Sequence, residues 1–427
     1  MPDAVVSLAG QSVRGTVWAL ANQLGVVART PGELIGALTA DPRPRVLALP
    51  DLPAARDPEA LAELMQALRE LGHIRLITEA RPGGSEPAGG APPDLDDPAA
   101  VCAADPLLVT AAYANDTGDR DDEHGGLRAA WFRAGQSLVR DQPAAERALV
   151  LLAALGDGAD PRLRPALTGL ATAAPWRVDW TRVRGDVTPP WPGPVAALAH
   201  GTGRWAGHLL VADQRGTVRS LHPADATHVP GSAPMPARIK ALAPVADGSL
   251  LLLDELGHLH TQGRTPLTEA VTATLAKHPG TALAASRGLV LTGDRHGSVH
   301  AFGLRRMHQA ALHRGRVTTL AVTDTTPAPL AYSGGADGTV RAWHPGRAPA
   351  PAPVAERHCP VVALSAQGSA LAVAWADGLV ELHRPDAAGV LPFRPGPPVR
   401  AVAVASDRSV VIGMDEALIR LTARSAP

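Results

Sequence analysis

The chain has 427 residues, of which 19% are charged, and its formal net charge at pH 7 is -1. This balance gives no electrostatic argument for nucleic acid or an anionic membrane as a partner. No window approaches eighteen consecutive apolar residues, no signal-peptide pattern is present, and the two cysteines have no metal or redox spacing. We therefore expect a soluble cytoplasmic protein without a metal site. Lys240 and Lys277 are the only lysines, an arginine bias typical of GC-rich bacterial genomes.

Residues 1–83 alternate between strand and helix patterns. Apolar runs at 4–8, 46–49 and 73–78 are typical of buried strands, and the spacing of apolar residues predicts helices at 16–24, 31–39 and 58–71. Strands that alternate with helices indicate a parallel sheet. We therefore predict a small parallel α/β domain over residues 1–83.

The first predicted strand is followed by two glycines, Gly10 and Gly15, at the spacing of a phosphate-binding loop. An intact loop continues with a Lys, which neutralises phosphate charge, and a Ser or Thr, which holds magnesium. Here Thr16 stands at the Lys position and Val17 at the hydroxyl position. Asp51 follows the second predicted strand, where a Walker-B acid would fall.

Together, the degenerate loop, the strand before Asp51 and the third strand resemble the front half of the signal-transduction NTPases of the STAND class. The resemblance covers roughly residues 1–175. The family implies ATP-driven switching and oligomerisation, and in actinobacteria its members often precede WD-repeat propellers. Loss of the Lys and the hydroxyl indicates a catalytically inactive relative, for which we expect no cofactor. If ATP binds, the resemblance implies Gly10, Gly15, Thr16 and Asp51 as its contacts; the alternative is an unrelated α/β domain whose glycines only form a turn.

Residues 84–97 are rich in Gly and Pro without apolar periodicity, which predicts a linker. Residues 98–175 follow as a helical region, with helical spacing at 107–113, 126–138, 142–155 and 161–173. An acidic run at 116–124 lacks the turn Gly and terminal Glu of a calcium loop. We interpret it as a solvated charge run rather than a cation site.

The second half of the chain repeats one pattern, in which an Asp occupies the turn between two apolar strands. The steps between successive aspartates are 41, 40, 43, 40 and 38 residues. A period in this range, with four short strands per unit, predicts a β-propeller over residues 176–427. The recurring aspartates are Asp213, Asp254, Asp294, Asp337, Asp377 and Asp415.

The fourth unit, which ends SGGADGTVRAWHP, resembles the WD-repeat family. In that family a His before the first strand, a Ser or Thr on the second, the turn Asp and a Trp on the third form a buried hydrogen-bond network. The resemblance implies these roles for His313, Ser333, Asp337 and Trp343. It also implies that His278 and His358, at the matching positions of two other units, are satisfied core groups and that the repeated aspartates are structural.

The sixth unit has only three strands before the sequence ends. An open blade would present a long unpaired edge. Residues 176–183 alternate like a strand, and we predict that they supply the missing outer strand of the last blade. We therefore predict six blades, with seven as the alternative.

The sequence contains no nucleophile elbow, HExxH or CxxC motif. The favoured interpretation is a non-enzymatic scaffold or adaptor that binds other proteins on one face of the propeller. Loop position selects the candidate partner-binding residues Arg215, Glu255, Arg295 and His296. Two alternatives remain open: a nucleotide-responsive signalling or defence switch, and an enzyme or ligand binder that uses the propeller channel.

Overall fold

The computed structural model describes residues 1–78, 93–116, 122–183, 195–213, 216–234, 237–286, 288–323, 328–384 and 389–424. The chain divides into two compact units. Unit 1 comprises residues 1–174 together with 394–398, and unit 2 comprises residues 175–393 together with 399–427.

Unit 1 contains a small parallel sheet, as the sequence predicts. Its strands lie in the order β1 (Ala4–Val5), β2 (Arg45–Ala48) and β3 (Ile74–Ile77). The helices between them are α1 (Val13–Leu24), α2 (Pro31–Ala40) and α3 (Pro58–Glu70). The helical region follows with α4 (Pro98–Ala103), α5 (Pro106–Asn115), α6 (Leu127–Leu138), α7 (Ala144–Ala154) and α8 (Leu163–Leu170).

Helix α3 shows why the sequence pattern of unit 1 is informative. Its buried residues are Leu61, Leu64, Met65 and Leu68, and these lie on one face at helical spacing. Pro58 occupies the first turn, where its missing N–H leaves no hydrogen bond unmade. The helix therefore forms where the apolar period and its start signal coincide.

Unit 2 is a six-bladed β-propeller, which confirms the predicted fold class and excludes seven blades. The first blade contains β5 (Val195–His200), β6 (Leu209–Asp213), β7 (Thr217–Leu221) and β8 (His228–Pro234). The second contains β9 (Ile239–Pro244), β10 (Leu250–Asp254) and β11 (Leu259–Gln262). The third contains β12 (Ala282–Ser286), β13 (Leu289–Gly293), β14 (Ser298–Gly303) and β15 (Met307–Ala311).

The remaining three blades follow the same antiparallel order. The fourth contains β16 (Val317–Thr323), β17 (Leu330–Gly335), β18 (Thr339–Trp343) and β19 (Ala355–Glu356). The fifth contains β20 (Val361–Gln367), β21 (Ala370–Trp375), β22 (Val380–His383) and β23 (Val390–Phe393). The sixth contains β24 (Val399–Val404), β25 (Val410–Met414), β26 (Ala417–Ala423) and, from before the first blade, β4 (Trp176–Val183).

Strand β4 closes the ring. It runs antiparallel to β26, with Val183 opposite Ala417 at one end and Trp176 opposite Ala423 at the other. The outer edge of the last blade is therefore paired by a strand that lies before the first blade in sequence.

The blades are held together by apolar contacts between neighbouring sheets. One buried cluster joins the sixth blade to the first through side chains that include Val411, Leu418, Val195 and Val211. Similar clusters join blades one and two, two and three, three and four, and four and five. In five of the six sheets every residue of the second strand is buried, and these strands are nearly continuous in apolar residues.

The second blade departs from the predicted four-stranded plan. After β11 the chain forms helix α9 (Pro266–Leu275) instead of an outer strand. Thr265 caps the helix by accepting the N–H of Thr268 at 3.2 Å. Val271 and Leu275, four residues apart, pack into the core between blades two and three. The apolar period in this segment is helical rather than alternating, which explains the replacement.

Within the described parts of the chain, no helix is both long enough and apolar enough to cross a bilayer. Residues 84–92 of the predicted linker lie outside the described residues.

The closing strand gives a direct test of the ring. Trp180 of β4 is 5% exposed, packs in the cluster between the sixth and first blades, and donates from Nε1 to Pro223 O at 2.8 Å. We expect Trp180→Ala to lower the free energy of unfolding by about 3–5 kcal/mol, because it removes a large buried side chain. Urea denaturation measures this change. Arg177→Ala, at an exposed position of the same strand, is the control and should stay within about 0.5 kcal/mol; equal losses would contradict a buried closing strand.

Candidate functional site

The six turn aspartates lie at one end of the propeller, which we call the turn face. In each blade the second and third strands meet there, and the antiparallel pairing brings the start of the first strand to the same end. In the fourth blade, for example, Val317 pairs with Gly335, two residues before Asp337. The turn face is therefore lined by the second-to-third-strand turns and by the residues that enter each first strand.

In the first three blades the aspartate is fixed by its own hairpin. Each accepts the backbone N–H four residues later, at 3.0, 2.9 and 2.9 Å. Each also faces a basic side chain six residues later on the third strand, at 3.8, 2.8 and 3.1 Å. These basic side chains are Arg219, His260 and His300.

In the last three blades the basic partner comes from the segment that enters the first strand. Asp337 pairs with His313 at 3.1 Å, Asp377 with Arg357 at 2.6 Å and Asp415 with Arg400 at 2.7 Å. All six aspartates thus bond to groups of their own blade.

The hydrogen bonds keep several of these carboxylates ionised. Burial raises the pKa of Asp254, Asp294 and Asp337, but the N–H, hydroxyl and histidine groups around them outweigh burial. The net pKa of each is below its usual value.

The hydrogen-bond network expected in the fourth blade is present, but Thr339 takes part in it instead of Trp343. The buried His313 contacts Ser333 Oγ through Nε2 at 2.8 Å, and Asp337 Oδ1 and Thr339 Oγ1 through Nδ1 at 3.1 and 3.0 Å. Trp343 is buried, but its Nε1 donates to Arg347 O at 2.8 Å. Thr339 therefore joins the network, while Trp343 anchors the next turn. The sequence could have identified Thr339 as part of the network from the order Asp-Gly-Thr, because the residue after an Asp-Gly turn begins the third strand.

The two histidines at matching positions are not core groups, so this part of the prediction was wrong. His278 and His358 are both exposed. The physical reason is that the aspartates of those blades are paired by His300 and Arg357 instead. A histidine in that position is not needed once another cation satisfies the carboxylate.

Two of the predicted partner-binding residues line one cleft, which extends from the turn of the third blade to Phe302 and Met307 at the other end of that blade. Arg295 and His296, from the turn of the third blade, border a cleft of about 530 Å³. Lys277 and His278, after helix α9, contribute further basic groups. Its apolar lining comes from Leu275, Phe302 and Met307. The cleft thus combines an apolar surface with a basic rim.

The other two predicted residues lie elsewhere. Glu255 is exposed and forms a 4.0 Å ion pair with Arg238, and it does not line the cleft. Arg215 lies outside the described residues.

The centre of the turn face carries charges that the sequence analysis missed. The first strands of all six blades enclose a cavity of about 190 Å³, which we call the channel. Lys240, Arg316 and Arg400 line it. Each lies at or next to the first residue of a first strand, so the signal was a basic residue recurring at that position.

In unit 1, the segment that resembles a phosphate-binding loop makes hydrogen bonds to itself. Helix α1 begins at Val13, three residues earlier than predicted, and Ser12 Oγ accepts the N–H of Gly15 at 3.2 Å. Gly10 N donates to Ala54 O at 2.8 Å, and Thr16 is fully buried. Asp51 lies beside the loop, where it accepts from Ser7 Oγ at 3.0 Å. N–H groups that would face phosphates in an intact loop therefore have protein acceptors.

At the end of the acidic run in unit 1, a histidine side chain bridges two carboxylates. His124 contacts Asp96 at 2.9 Å and Asp116 at 2.6 Å. Burial lowers the pKa of His124, but the two carboxylates outweigh it and the net pKa is raised. Among the described residues, no three His, Cys, Asp or Glu side chains form a group suited to a metal ion.

No family model matches the chain, and no curated protein matches it. Among solved structures, the chain is similar to the computationally designed Ika8 protein, at 17% sequence identity and a TM-score of 0.36. That similarity covers 54% of this chain and 71% of the designed one.

The network in the fourth blade can be tested with two histidines. His313→Ala should lower the free energy of unfolding by about 1–3 kcal/mol, because it leaves Ser333 and Asp337 with fewer partners in a buried setting. His358→Ala, at the matching exposed position, should change it by less than about 0.5 kcal/mol. Chemical denaturation measures both; equal effects would show that the network is not what holds this turn.

Proposed function

We propose that the chain is a non-enzymatic protein-interaction scaffold whose turn face captures a partner protein. The observation that carries this proposal is the 530 Å³ cleft, in which Lys277, Arg295 and His296 surround an apolar lining. Clefts of this size with a few polar groups are typical binding sites. Because the helix and the blade that border it share a buried core, the cleft is held by a rigid frame.

The composition of the cleft favours an acidic partner segment with an apolar anchor. The basic side chains on its rim attract carboxylates, and Leu275, Phe302 and Met307 offer an apolar contact surface. Interfaces commonly place such an apolar anchor within a charged rim.

The lining of the channel, over the described residues, contains basic, hydroxyl and apolar side chains and no Asp, Glu, His or Cys. The WD-repeat resemblance supports the scaffold proposal through the bonds among His313, Ser333 and Asp337.

In this proposal unit 1 acts as an inactive NTPase-like module. The internal hydrogen bonds of Gly10 and Gly15 support this assignment over a nucleotide-responsive switch. Calorimetric titration with ATP separates the two, since saturable binding at micromolar nucleotide would favour the switch.

If the cleft binds the partner protein, reversing the charge of its basic side chains should weaken binding. Replacing Lys277 and Arg295 by Glu should weaken partner capture by at least about tenfold, because two attractive charges become repulsive. The measurement is quantitative pull-down from the native host's lysate, followed by titration of the purified partner at two salt concentrations.

The matched control is Arg347→Glu, an exposed arginine between β18 and β19 that does not line the cleft. It should leave capture unchanged. Undiminished capture by the Lys277 and Arg295 variant, with its fold verified by circular dichroism, would refute the cleft as the docking point.

A further inference from the structure

Three cations converge on the channel from alternate blades. Lys240 is the second residue of β9 in the second blade, Arg316 directly precedes β16 in the fourth, and Arg400 is the second residue of β24 in the sixth. All three line the same cavity of about 190 Å³. The ring therefore presents positive charge to one small space from three sides.

The charge of Lys240 is poorly compensated. Its Nζ donates to the carbonyl of Gly280 at 3.0 Å, a neutral acceptor. Burial first, and then the positive charge of Arg316, lower the pKa of Lys240 to about 8, despite the opposing influence of Asp254 and Glu255. The surroundings of Lys240 therefore destabilise its protonated, positively charged form.

The other two cations differ in their partners. Arg400 is half exposed and makes two hydrogen bonds to Asp415, at 2.7 and 3.1 Å. Arg316 is exposed and, within the described part of the chain, forms no ion pair. One carboxylate therefore directly pairs with one of the three cations, and positive charge remains in excess at the channel.

Such an arrangement matches an anionic ligand in both charge and size. Guanidinium and ammonium groups are the usual partners of phosphate oxygens, and bonds between charged groups are the strong ones. Pockets for drug-sized ligands occupy about 300–1,000 Å³, so a cavity of about 190 Å³ suits a small anion. The rigid strands keep the three cations near one another whether or not a ligand is present.

We propose that the channel, at the turn face, is a binding site for a small phosphate-class oxyanion held by Lys240, Arg316 and Arg400. The ligand is inorganic phosphate or a small phosphate monoester, which share the same tetrahedral dianion chemistry. This site is separate from the docking cleft and does not depend on the proposed scaffold function.

The presence of only two lysines makes the test simple. Lys240 and Lys277 can be followed separately by peptide mass spectrometry after brief treatment of the whole protein with an amine-reactive ester at pH 7.5. Unprotonated amines react, and a lysine with a pKa of about 8 is about one quarter unprotonated at this pH. Inorganic phosphate that binds should favour the protonated form of Lys240. Labelling of Lys240 should then fall about tenfold for each unit by which its pKa rises, while Lys277 is unaffected.

Sodium chloride at matched ionic strength is the control for screening. Saturable protection of Lys240 by phosphate and not by chloride supports the site. Equal slowing by both salts, or equal slowing of both lysines, overturns it.

Arg316→Gln provides the second arm, because Arg316 has no ion pair with any described residue whose loss would unfold the ring. Without phosphate, labelling of Lys240 should slow, since a repelling charge is gone. The phosphate concentration that gives half-maximal protection should rise about tenfold or more. Unchanged protection in this variant would refute the shared site.

Free O-phosphoserine distinguishes the two sources of phosphate. Protection by O-phosphoserine at lower concentration than inorganic phosphate would assign the site to monoesters, and protection by inorganic phosphate alone would assign it to the free ion. Lack of protection by either overturns the proposal. Loss of partner capture in the cleft variant would not alter this result, so the two proposals fail independently.

Discussion

The pairing of β4 with β26 is the interaction on which the rest of the propeller depends. Seven residues at the end of the last blade bond to a strand that precedes the first blade, and side chains of both blades share one buried cluster. Without that strand, β26 would be an exposed edge, and the sixth and first blades would lose Trp180 from their common core. With it, six first strands surround one channel, and six turns share one face.

A turn carboxylate recurs in every blade with different basic partners. Arg219, His260 and His300 reach it from the third strand, and His313, Arg357 and Arg400 reach it from the entry to the first strand. The requirement is electrostatic rather than residue-specific, which explains why the repeats diverge so far in sequence. It also frees other side chains, including His278 beside the cleft, from a structural role.

The sequence predicted the parallel sheet, the six blades and the strand that closes the ring, because apolar periodicity and turn chemistry are local signals. It did not predict α9 in place of an outer strand, since the expectation of a regular repeat overrode the helical spacing of Val271 and Leu275. The exposure of His358 depends on which cation reaches Asp377, and that choice is visible only in the folded blade. The sequence selected Arg295 and His296 by loop position alone, whereas the cleft around them requires α9. The convergence of Lys240, Arg316 and Arg400 arises only when the blades are arranged in a ring.

Amide hydrogen exchange over β26 tests the closed ring most directly. If β4 covers this strand, the amides of Ala417–Ala423 should exchange as slowly as those of β25, the interior strand beside it. Exchange at β26 as rapid as in an unpaired outer strand would contradict closure and, with it, the shared channel and turn face.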